Sequence, residues 1–136
     1  MNKTVSSKEL SLAAVEAMKR SYSPYSKFTV GAALLTKSGK IYTGANIENS
    51  SYTPTVCAER VAFFTAIHNG ETEFEAIAIV GGHKGNVEGL CAPCGVCRQV
   101  MSEFCSPDFK VILVTSSNGD FEETTLGEIL PYTFKL

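Results

Sequence analysis

The sequence predicts an α/β fold in which a single mixed β-sheet is flanked by helices. Two observations carry this prediction. Segments rich in β-branched and apolar residues alternate along the chain with segments whose apolar residues recur at helical spacing. The 136 residues also contain no internal repeat, low-complexity stretch or linker, so we expect residues 1–136 to form a single domain. A chain of this length can bury a substantial core without disulfide bonds.

The first part of the chain predicts a helix followed by a β-hairpin. Apolar residues recur at helical spacing from residue 6 to about residue 21, and Ser6 with Glu9 forms a plausible capping box at the start of this segment. Residues 28–36 are mostly apolar and predict a strand. A short polar turn separates them from residues 41–46, which are expected to pair back as the second strand of the hairpin.

A polar loop over residues 47–54 precedes the second predicted helix, which we expect to begin at Thr55 or Val56 and to stop at Asn69-Gly70. Its buried stripe is expected to consist of Val61, Phe64 and either Ile67 or His68. The next elements are a short apolar strand over residues 74–80, a glycine-containing loop over residues 81–93, a helix from about residue 94 to 104, and a strand over residues 110–115.

The end of the chain predicts a second hairpin and a short helix. Asn118-Gly119 is a strong two-residue turn signal, and we expect a strand over residues 121–123 to follow it. Thr125 and Glu128 are expected to cap a last helix that Pro131 terminates. A hairpin followed by helix, strand, helix and strand predicts one sheet with helices on its faces.

Composition and charge exclude several classes of function. The formal net charge of −2 and the lack of a Lys/Arg run argue against a nucleic-acid partner. No apolar run approaches the roughly 18–20 residues that span a bilayer, so we expect no membrane association. The start of the sequence lacks the apolar stretch of a signal peptide, and the odd count of five cysteines does not fit a secreted disulfide scaffold. We therefore expect a cytoplasmic protein.

Three cysteines and a glutamate form the most informative pattern. Cys94 and Cys97 are three residues apart at a predicted helix start, so their sulfur atoms project on the same side. Cys57 stands at the start of the preceding predicted helix. Three thiolates leave one position of a tetrahedral zinc site open, which is typical of catalytic zinc rather than structural zinc. Glu59 follows Cys57 by two residues and is placed to handle the proton of a water molecule at that position.

Arg60 follows Glu59 directly and is the best-placed counter-charge for this cluster. Three thiolates on Zn²⁺ carry a net charge of −1, which opposes ionisation of a bound water. We therefore expect Arg60 to compensate this charge from the shell of residues around the ligands, with help from the helix N-termini.

Other interpretations of these cysteines and of the two histidines stay open. Cys94 and Cys97 alone could be a redox dithiol or half of a zinc ribbon. Cys91 could offer a fourth ligand, but a proline separates it from the helix, and we interpret it as a loop thiol that does not bind the metal. Cys105 is interpreted as a structural thiol near a helix end. His68 and His83 are expected on a helix surface and in a loop.

The residues around the cysteines resemble a known family. Cys57-Ala58-Glu59 and Pro93-Cys94-Gly95-Val96-Cys97 match the three-cysteine form of the zinc deaminase signature. From about residue 10 to its end, the sequence is similar to the small free-nucleoside cytidine deaminases. The similar segments are residues 23–34, 44–49, 94–100 and 128–131.

The resemblance implies a reaction and a cofactor. It implies one zinc ion per subunit, held by Cys57, Cys94 and Cys97, and the hydrolysis of cytidine and 2′-deoxycytidine to uridine and 2′-deoxyuridine plus ammonia in pyrimidine salvage. Zinc would lower the pKa of its water. Glu59 would be the catalytic residue that moves the protons, first to ring nitrogen 3 and then to the leaving amino group.

The resemblance also implies how the nucleoside is bound. Asn46 and Glu48 would bind the ribose hydroxyls, and Phe28 would stack on the pyrimidine. The backbone N–H of Ala58, at a helix start, would donate to the ring carbonyl. The resemblance also implies a homotetramer, in which Phe134 could contact the site of a neighbouring subunit.

The sequence departs from the family pattern at two places, and three other functions are alternatives to the one that the resemblance implies. Residues 81–90 match no motif, and Cys91-Ala92 stands where a serine is common. The nearest rival is a deaminase of another aminopyrimidine compound such as blasticidin S, against which Phe28 and residues 46–49 argue. A zinc-stabilised module without activity would use Cys91 as a fourth ligand. A polynucleotide-editing deaminase is disfavoured by the charge.

Overall fold

Helices and strands follow one another in the predicted order in the computed structural model, which describes residues 4–136. The elements are α1 (Ser7–Met18), β1 (Phe28–Thr36), β2 (Ile41–Ala45), α2 (Ala58–His68), β3 (Phe74–His83), α3 (Gly95–Phe104), β4 (Lys110–Val114), β5 (Phe121–Thr125) and α4 (Leu126–Ile129). Among the helices of residues 4–136, none combines the length and apolar character that a membrane crossing requires.

The five strands form one mixed sheet in the order β2-β1-β3-β4-β5. β1 is antiparallel to both β2 and β3, β3 is parallel to β4, and β4 is antiparallel to β5. The parallel pair is joined by α3, as parallel neighbours require a crossover. This arrangement confirms the predicted α/β fold, with a mixed sheet flanked by helices.

The sheet carries α1 on one face and α2 with α3 on the other. Side chains alternate along β1, so Ala33 and Leu35 pack with the buried residues of α1, whereas Ala32 and Leu34 pack with those of α2 and α3. Both faces are buried, which explains why β1 and β3 are apolar runs rather than alternating ones.

Two glycines allow the helices to approach the sheet closely. A β-carbon on Gly44 of β2 would lie 2.7 Å from the backbone nitrogen of Ala62 in α2. A β-carbon on Gly31 of β1 would lie 2.5 Å from the backbone nitrogen of Met18 in α1. The backbones of α1 and α2 therefore rest directly on the strands, and Gly44 sets the position of α2.

The predicted helix caps are confirmed, and the predicted hairpin turn is confirmed in place but not in length. The Ser6 hydroxyl accepts a hydrogen bond from the Glu9 N–H at 3.0 Å, and Thr125 accepts one from Glu128 at 3.3 Å. Gly119 has a φ of 87° and ends a turn that its N–H closes on the Ser116 carbonyl, so the loop between β4 and β5 is longer than the predicted two-residue turn. Such caps depend on residues three positions apart, so the sequence alone is sufficient to identify them.

The predicted start of α2 is wrong, and its predicted buried stripe is right only in part, because Ile67 packs against the core whereas Phe64 does not. The helix begins at Ala58 with Cys57 as its N-cap, and it buries Ala62, Phe63 and Ala66. Phe64 is 49% exposed, although it was expected in the core. The helix is apolar on more than one side, so periodicity could not select the buried face. The close approach at Gly44 accepts only small residues, which places the alanines inward.

β3 is longer than predicted. Its last three residues, Gly81 to His83, pair with Val30, Thr29 and Phe28 of β1. His83 is therefore the end of a strand and not a loop residue, contrary to the prediction. Glycines are poor strand formers in isolation, and this extension exists because β1 supplies partners for their backbone groups.

Candidate active site

The three predicted metal-binding cysteines converge where the N-termini of α2 and α3 meet. Cys57 is the N-cap of α2, Cys94 is the N-cap of α3, and Cys97 lies in the first turn of α3. The Sγ atoms are 3.7 Å apart between Cys57 and Cys94 and 3.6 Å apart between Cys94 and Cys97, and all three lie within 4.8 Å of one another. The starts of α2 and α3 are far apart in the sequence, but the thiols that they carry lie close together in the fold.

This donor set fits a zinc ion. Sulfur atoms at about 2.3 Å from a tetrahedral zinc stand about 3.8 Å from one another, close to the separations seen here. Thiolates are soft ligands that favour zinc over hard cations such as Mg²⁺. Within residues 4–136, Cys57, Cys94 and Cys97 are the group of metal-binding side chains that comes together in this way. Cys91 is not a member of it.

Hydrogen bonds from Cys97 and Arg60 stabilise the thiolate form of Cys57. The pKa of the Cys57 thiol is lowered to about 5, first because Cys97 donates a hydrogen bond to it and then through Arg60. The same hydrogen bond and burial raise the pKa of Cys97. The Arg60 Nη2 donates to Cys57 Sγ at 3.4 Å, and within the described residues its buried Nε has no partner. The arginine therefore lies where the predicted counter-charge is needed.

Glu59 is buried beside the cysteines. Only 4% of its surface is exposed, and burial is the main reason why its pKa is raised to about 7. The negative charge at Cys57 raises it further. A carboxyl group with a pKa near neutrality can both accept and donate a proton at the working pH. A glutamate that only stabilised the helix N-terminus would not need to be buried.

A cavity of about 170 Å³ opens onto Glu59 and the cysteines. It brings the two residues expected at the ribose together with the metal-binding cluster. Its lining consists of Val30, Asn46, Glu48, Thr55, Val56, Cys57, Glu59, Cys91, Ala92 and Cys94. The cavity thus joins a candidate metal centre to polar groups that can bind a small molecule.

Asn46 joins the loop after β2 to the start of β1. Its Nδ2 donates to the carbonyl of Phe28 at 2.9 Å, and its Oδ1 accepts from the Val30 N–H at 2.9 Å. The Ser21 hydroxyl donates to the same oxygen. These bonds leave one amide hydrogen for a ligand and fix the orientation of the side chain.

Glu48 is held by the segment that precedes β1. Its Oε1 accepts from the N–H groups of Tyr25 and Ser26 at 3.0 and 3.1 Å, and its Oε2 accepts from the Ser26 hydroxyl. Hydrogen bonding from the Ser26 side chain is the main reason why the pKa of Glu48 is lowered. Glu48 was among the predicted site residues but Ser26 was not, although the similarity of residues 23–34 to the family was a signal.

Phe28 lies beside the cavity, next to Cys91. A β-carbon on Gly81 would lie 3.0 Å from Phe28 Cε1 and 2.7 Å from Cys91 Sγ, so the ring and the thiol both rest on the backbone of β3 at this glycine. Burial raises the pKa of Cys91 to about 11, which keeps it a neutral thiol. Phe28 is not among the residues that line the cavity, but it occupies the same face of β1 as Val30, which does line it.

Three further residues complete the description of the site. Ala58 is the first residue of α2 and is fully buried, and its N–H belongs to the first-turn groups for which the helix provides no acceptor. Phe134 is 66% exposed and does not line the cavity of its own chain. Arg98, which the sequence analysis missed, donates to the carbonyls of Pro93 and Ile129 and so ties the start of α3 to α4.

The chain is similar in sequence and in structure to known cytidine deaminases. The model of the cytidine and deoxycytidylate deaminase zinc-binding region matches residues 5–114. A cytidine deaminase from Sporosarcina psychrophila is 51% identical over 119 residues, covering 88% of this chain and 84% of the relative. The crystal structure of a cytidine deaminase from Burkholderia pseudomallei superimposes with a TM-score of 0.86 at 45% identity, covering 96% of this chain and 100% of that one.

A more distant relative is named for a different substrate. A blasticidin-S deaminase from Bacillus cereus is 35% identical over 112 residues, covering 79% of this chain and 78% of the relative. Both the identity and the coverage are lower than for the Sporosarcina psychrophila cytidine deaminase.

Proposed function

Because the chain belongs to the family of the cytidine and deoxycytidylate deaminase zinc-binding region, we propose that it converts cytidine and 2′-deoxycytidine to uridine and 2′-deoxyuridine with release of ammonia. The observation that carries this proposal is a cluster of three thiols, two of which line the same cavity as the buried carboxyl group of Glu59. Asn46 and Glu48 in the same cavity support a nucleoside as the substrate.

Cys57, Cys94 and Cys97 would hold the zinc ion. When bound, zinc supplies a water of lowered pKa as the nucleophile. Arg60, which donates to the Cys57 sulfur, reduces the excess negative charge of the three thiolates. Cys97 and Glu59 are buried beneath the cluster, where electrostatic contacts are stronger than in bulk water, whereas Cys94 is exposed.

Glu59 would move the protons of the reaction. With a pKa of about 7, it takes a proton from the attacking water and passes it to ring nitrogen 3, which makes carbon 4 electrophilic. Oxygen adds to carbon 4, and Glu59 then delivers the second proton of the water to the exocyclic amine. The carbon–nitrogen bond breaks, and ammonia leaves. Water and the cytosine ring together account for every atom of uracil and ammonia.

The remaining residues would bind and orient the substrate. The Ala58 N–H donates to the ring carbonyl, and Phe28 contacts the pyrimidine face. The charged Glu48 accepts from a ribose hydroxyl, and Asn46 offers its remaining amide hydrogen. Neither group requires a hydroxyl at the 2′ position, so both the ribose and the deoxyribose nucleoside are proposed as substrates.

The central experiment is the turnover of cytidine by wild type and by Glu59→Gln, with zinc content measured in both. We expect retained zinc and a loss of at least about 100-fold in kcat, the scale of general acid–base catalysis. Glu122→Gln is a matched control, because this glutamate is exposed on β5. Full activity of Glu59→Gln would refute the assignment of the proton carrier.

The blasticidin-S deaminase relative supports a second candidate substrate. Ammonia release should be measured with cytidine, 2′-deoxycytidine, cytosine and blasticidin S. We expect turnover of the first two, and no turnover of cytidine would overturn the proposed function. X-ray absorption should find three sulfur ligands and one oxygen on zinc, whereas four sulfurs would favour an inactive module closed by Cys91.

We further propose a homotetramer that acts in pyrimidine salvage in the cytoplasm. Exposed apolar side chains on α2, α3 and the C-terminal tail support assembly, and they include Phe64, Val96 and Phe134. Light scattering on the purified protein should give about four times the chain mass of 14.6 kDa. A monomer with full activity would remove the role proposed for a neighbouring subunit.

A further inference from the structure

The segment Gly81–Leu90 matches no family motif, yet it packs against the candidate base-binding residue. Its first three residues extend β3, and the rest folds back so that the Glu88 N–H donates to the Gly81 carbonyl at 3.0 Å. This turn returns Glu88 to the end of β3, where His83 lies directly opposite Phe28 on β1. The segment is therefore connected to the active site through one cross-strand pair.

Phe28 and His83 are in edge-to-face contact. Their ring centroids are 5.1 Å apart, and the ring planes are at 87°. The Lys84 N–H donates to the Lys27 carbonyl at 2.8 Å, which makes Phe28 and His83 a non-hydrogen-bonded pair of the antiparallel ladder. Side chains of such pairs lie closer together than those of hydrogen-bonded pairs. The imidazole is thus the nearest aromatic support of the Phe28 ring.

Glu88 holds His83 in place. One carboxylate oxygen, Oε2, accepts the His83 backbone N–H and also lies 2.9 Å from Nδ1 of the same residue. Contacts to both the backbone and the ring leave the imidazole little freedom to rotate. The His83 side chain is 60% exposed, so packing alone would not hold it there.

The other side of the Phe28 ring is limited by the backbone and by a thiol. Gly81 has no side chain, so Phe28 and Cys91 can both lie over β3 at this point. The Phe28 N–H donates to Ser26 Oγ, whose hydroxyl in turn donates to Glu48. The Phe28 backbone is therefore tied to the candidate ribose-binding carboxylate, and only the side chain depends on His83.

We propose that His83, fixed by Glu88, is a positioning residue that orients the Phe28 ring for its contact with the pyrimidine. This inference rests on the proposed function, because it takes Phe28 as a residue that touches the base. Edge-to-face aromatic pairs have a modest energy, and loss of the pair is expected to weaken substrate binding about three- to tenfold. The pair acts on binding rather than on proton transfer, so the effect falls on KM.

The test is steady-state kinetics with cytidine on a small set of variants. We expect His83→Ala to raise KM about three- to tenfold with kcat changed less than about twofold. His83→Phe keeps an aromatic edge and should restore KM to near the wild-type value. Glu88→Ala should give part of the increase. His68→Ala removes the other histidine of the chain, at the exposed end of α2, and should leave both constants unchanged.

A double-mutant cycle separates positioning from a general effect on the fold. If His83 acts through Phe28, His83→Ala should cost little in a Phe28→Leu background. Full additivity of the two changes would overturn the inference. It would also fail if His83→Ala lowered kcat and the melting temperature without raising KM, since that result indicates a structural role. If wild type does not turn over cytidine, the proposed function itself has failed, and this result is distinct from an unchanged KM in His83→Ala.

Discussion

Replacement of Gly44 by alanine is expected to displace the catalytic end of α2. The added β-carbon would lie 2.7 Å from the Ala62 backbone nitrogen and closer still to the Ala58 carbonyl oxygen. Both obstacles are backbone atoms of α2, so no side chain can rotate away. The helix has to move, and it carries Cys57 at its N-cap and Glu59 in its first turn.

The size of the displacement follows from the contact distances. Ordinary contact requires about 3.4 Å or more, so α2 must move by roughly 1 Å. Overpacking of this kind costs about 1–3 kcal/mol of stability. A misplacement of about 1 Å at a reacting group can cost about 100-fold in rate, which corresponds to about 2.7 kcal/mol in the barrier. We therefore expect a large loss of kcat in protein that is still folded.

Gly31→Ala is the matched control. Its β-carbon would lie 2.5 Å from the Met18 backbone nitrogen, so it displaces α1 on the opposite face of the sheet by a similar amount. No residue of α1 lines the cavity, although Ser21 beyond it donates to Asn46. We expect a comparable loss of stability, at most a few-fold rise in KM, and normal kcat and zinc content.

The assay combines urea unfolding followed by far-UV circular dichroism, zinc per subunit, and cytidine turnover at a temperature at which both variants are folded. Equal losses of kcat in Gly44→Ala and Gly31→Ala would refute the reasoning, because a general loss of stability would then explain both. Wild-type kcat in Gly44→Ala would refute it in another way, by showing that the site tolerates movement of α2.

Three other predictions concern single side chains. Arg60→Ala should lower kcat at least about tenfold while zinc per subunit stays near the wild-type value, because the arginine compensates charge at Cys57 and is not a ligand. Metal analysis and steady-state kinetics on the same variant check this prediction. An equal loss of zinc and of kcat would contradict it. Ser26 lowers the pKa of Glu48, so the stability that Glu48 contributes is present above the ordinary value of 4.5 and is lost as the pH falls through the lower folded-state pKa. Ser26→Ala should therefore shift acid unfolding, followed by circular dichroism, to higher pH, and an unchanged midpoint would count against it. Phe134→Ala should raise KM several-fold in the assembled protein while its carbonyl still accepts from α3, and an unchanged KM would exclude a contact with a neighbouring site.

Local signals were sufficient for most of the fold. The caps at Ser6 and Thr125 and the bounds of β1 are confirmed by the structure, and a turn does form before β5, although it spans residues 116–119 rather than Asn118-Gly119 alone. Each depends on residues a few positions apart, whose preferences act before any tertiary contact forms. The sequence analysis failed at α2 and at the end of β3, where the outcome depends on partners distant in sequence.

The same division applies to the site. The Cys-x-x-Cys spacing on one helical turn and the nearby Cys57-x-Glu59 pair are properties of the chain itself, and so is the resemblance that points to cytidine. Whether Cys57 meets Cys94, 37 residues away, depends on how α2 and α3 pack on the sheet. Glu59 owes its raised pKa to burial, which only that packing creates.

The sequence by itself therefore identified the candidate metal ligands and the candidate proton carrier, because ligand type and helical spacing are local properties. Only the tertiary structure decided how they are supported. Arg98 ties the start of α3 to α4, Ser26 orients Glu48, and the Glu88–His83 pair supports Phe28. These contacts join segments that meet only when the strands pair and the helices pack, so the spacing of residues along the chain does not reveal the partners.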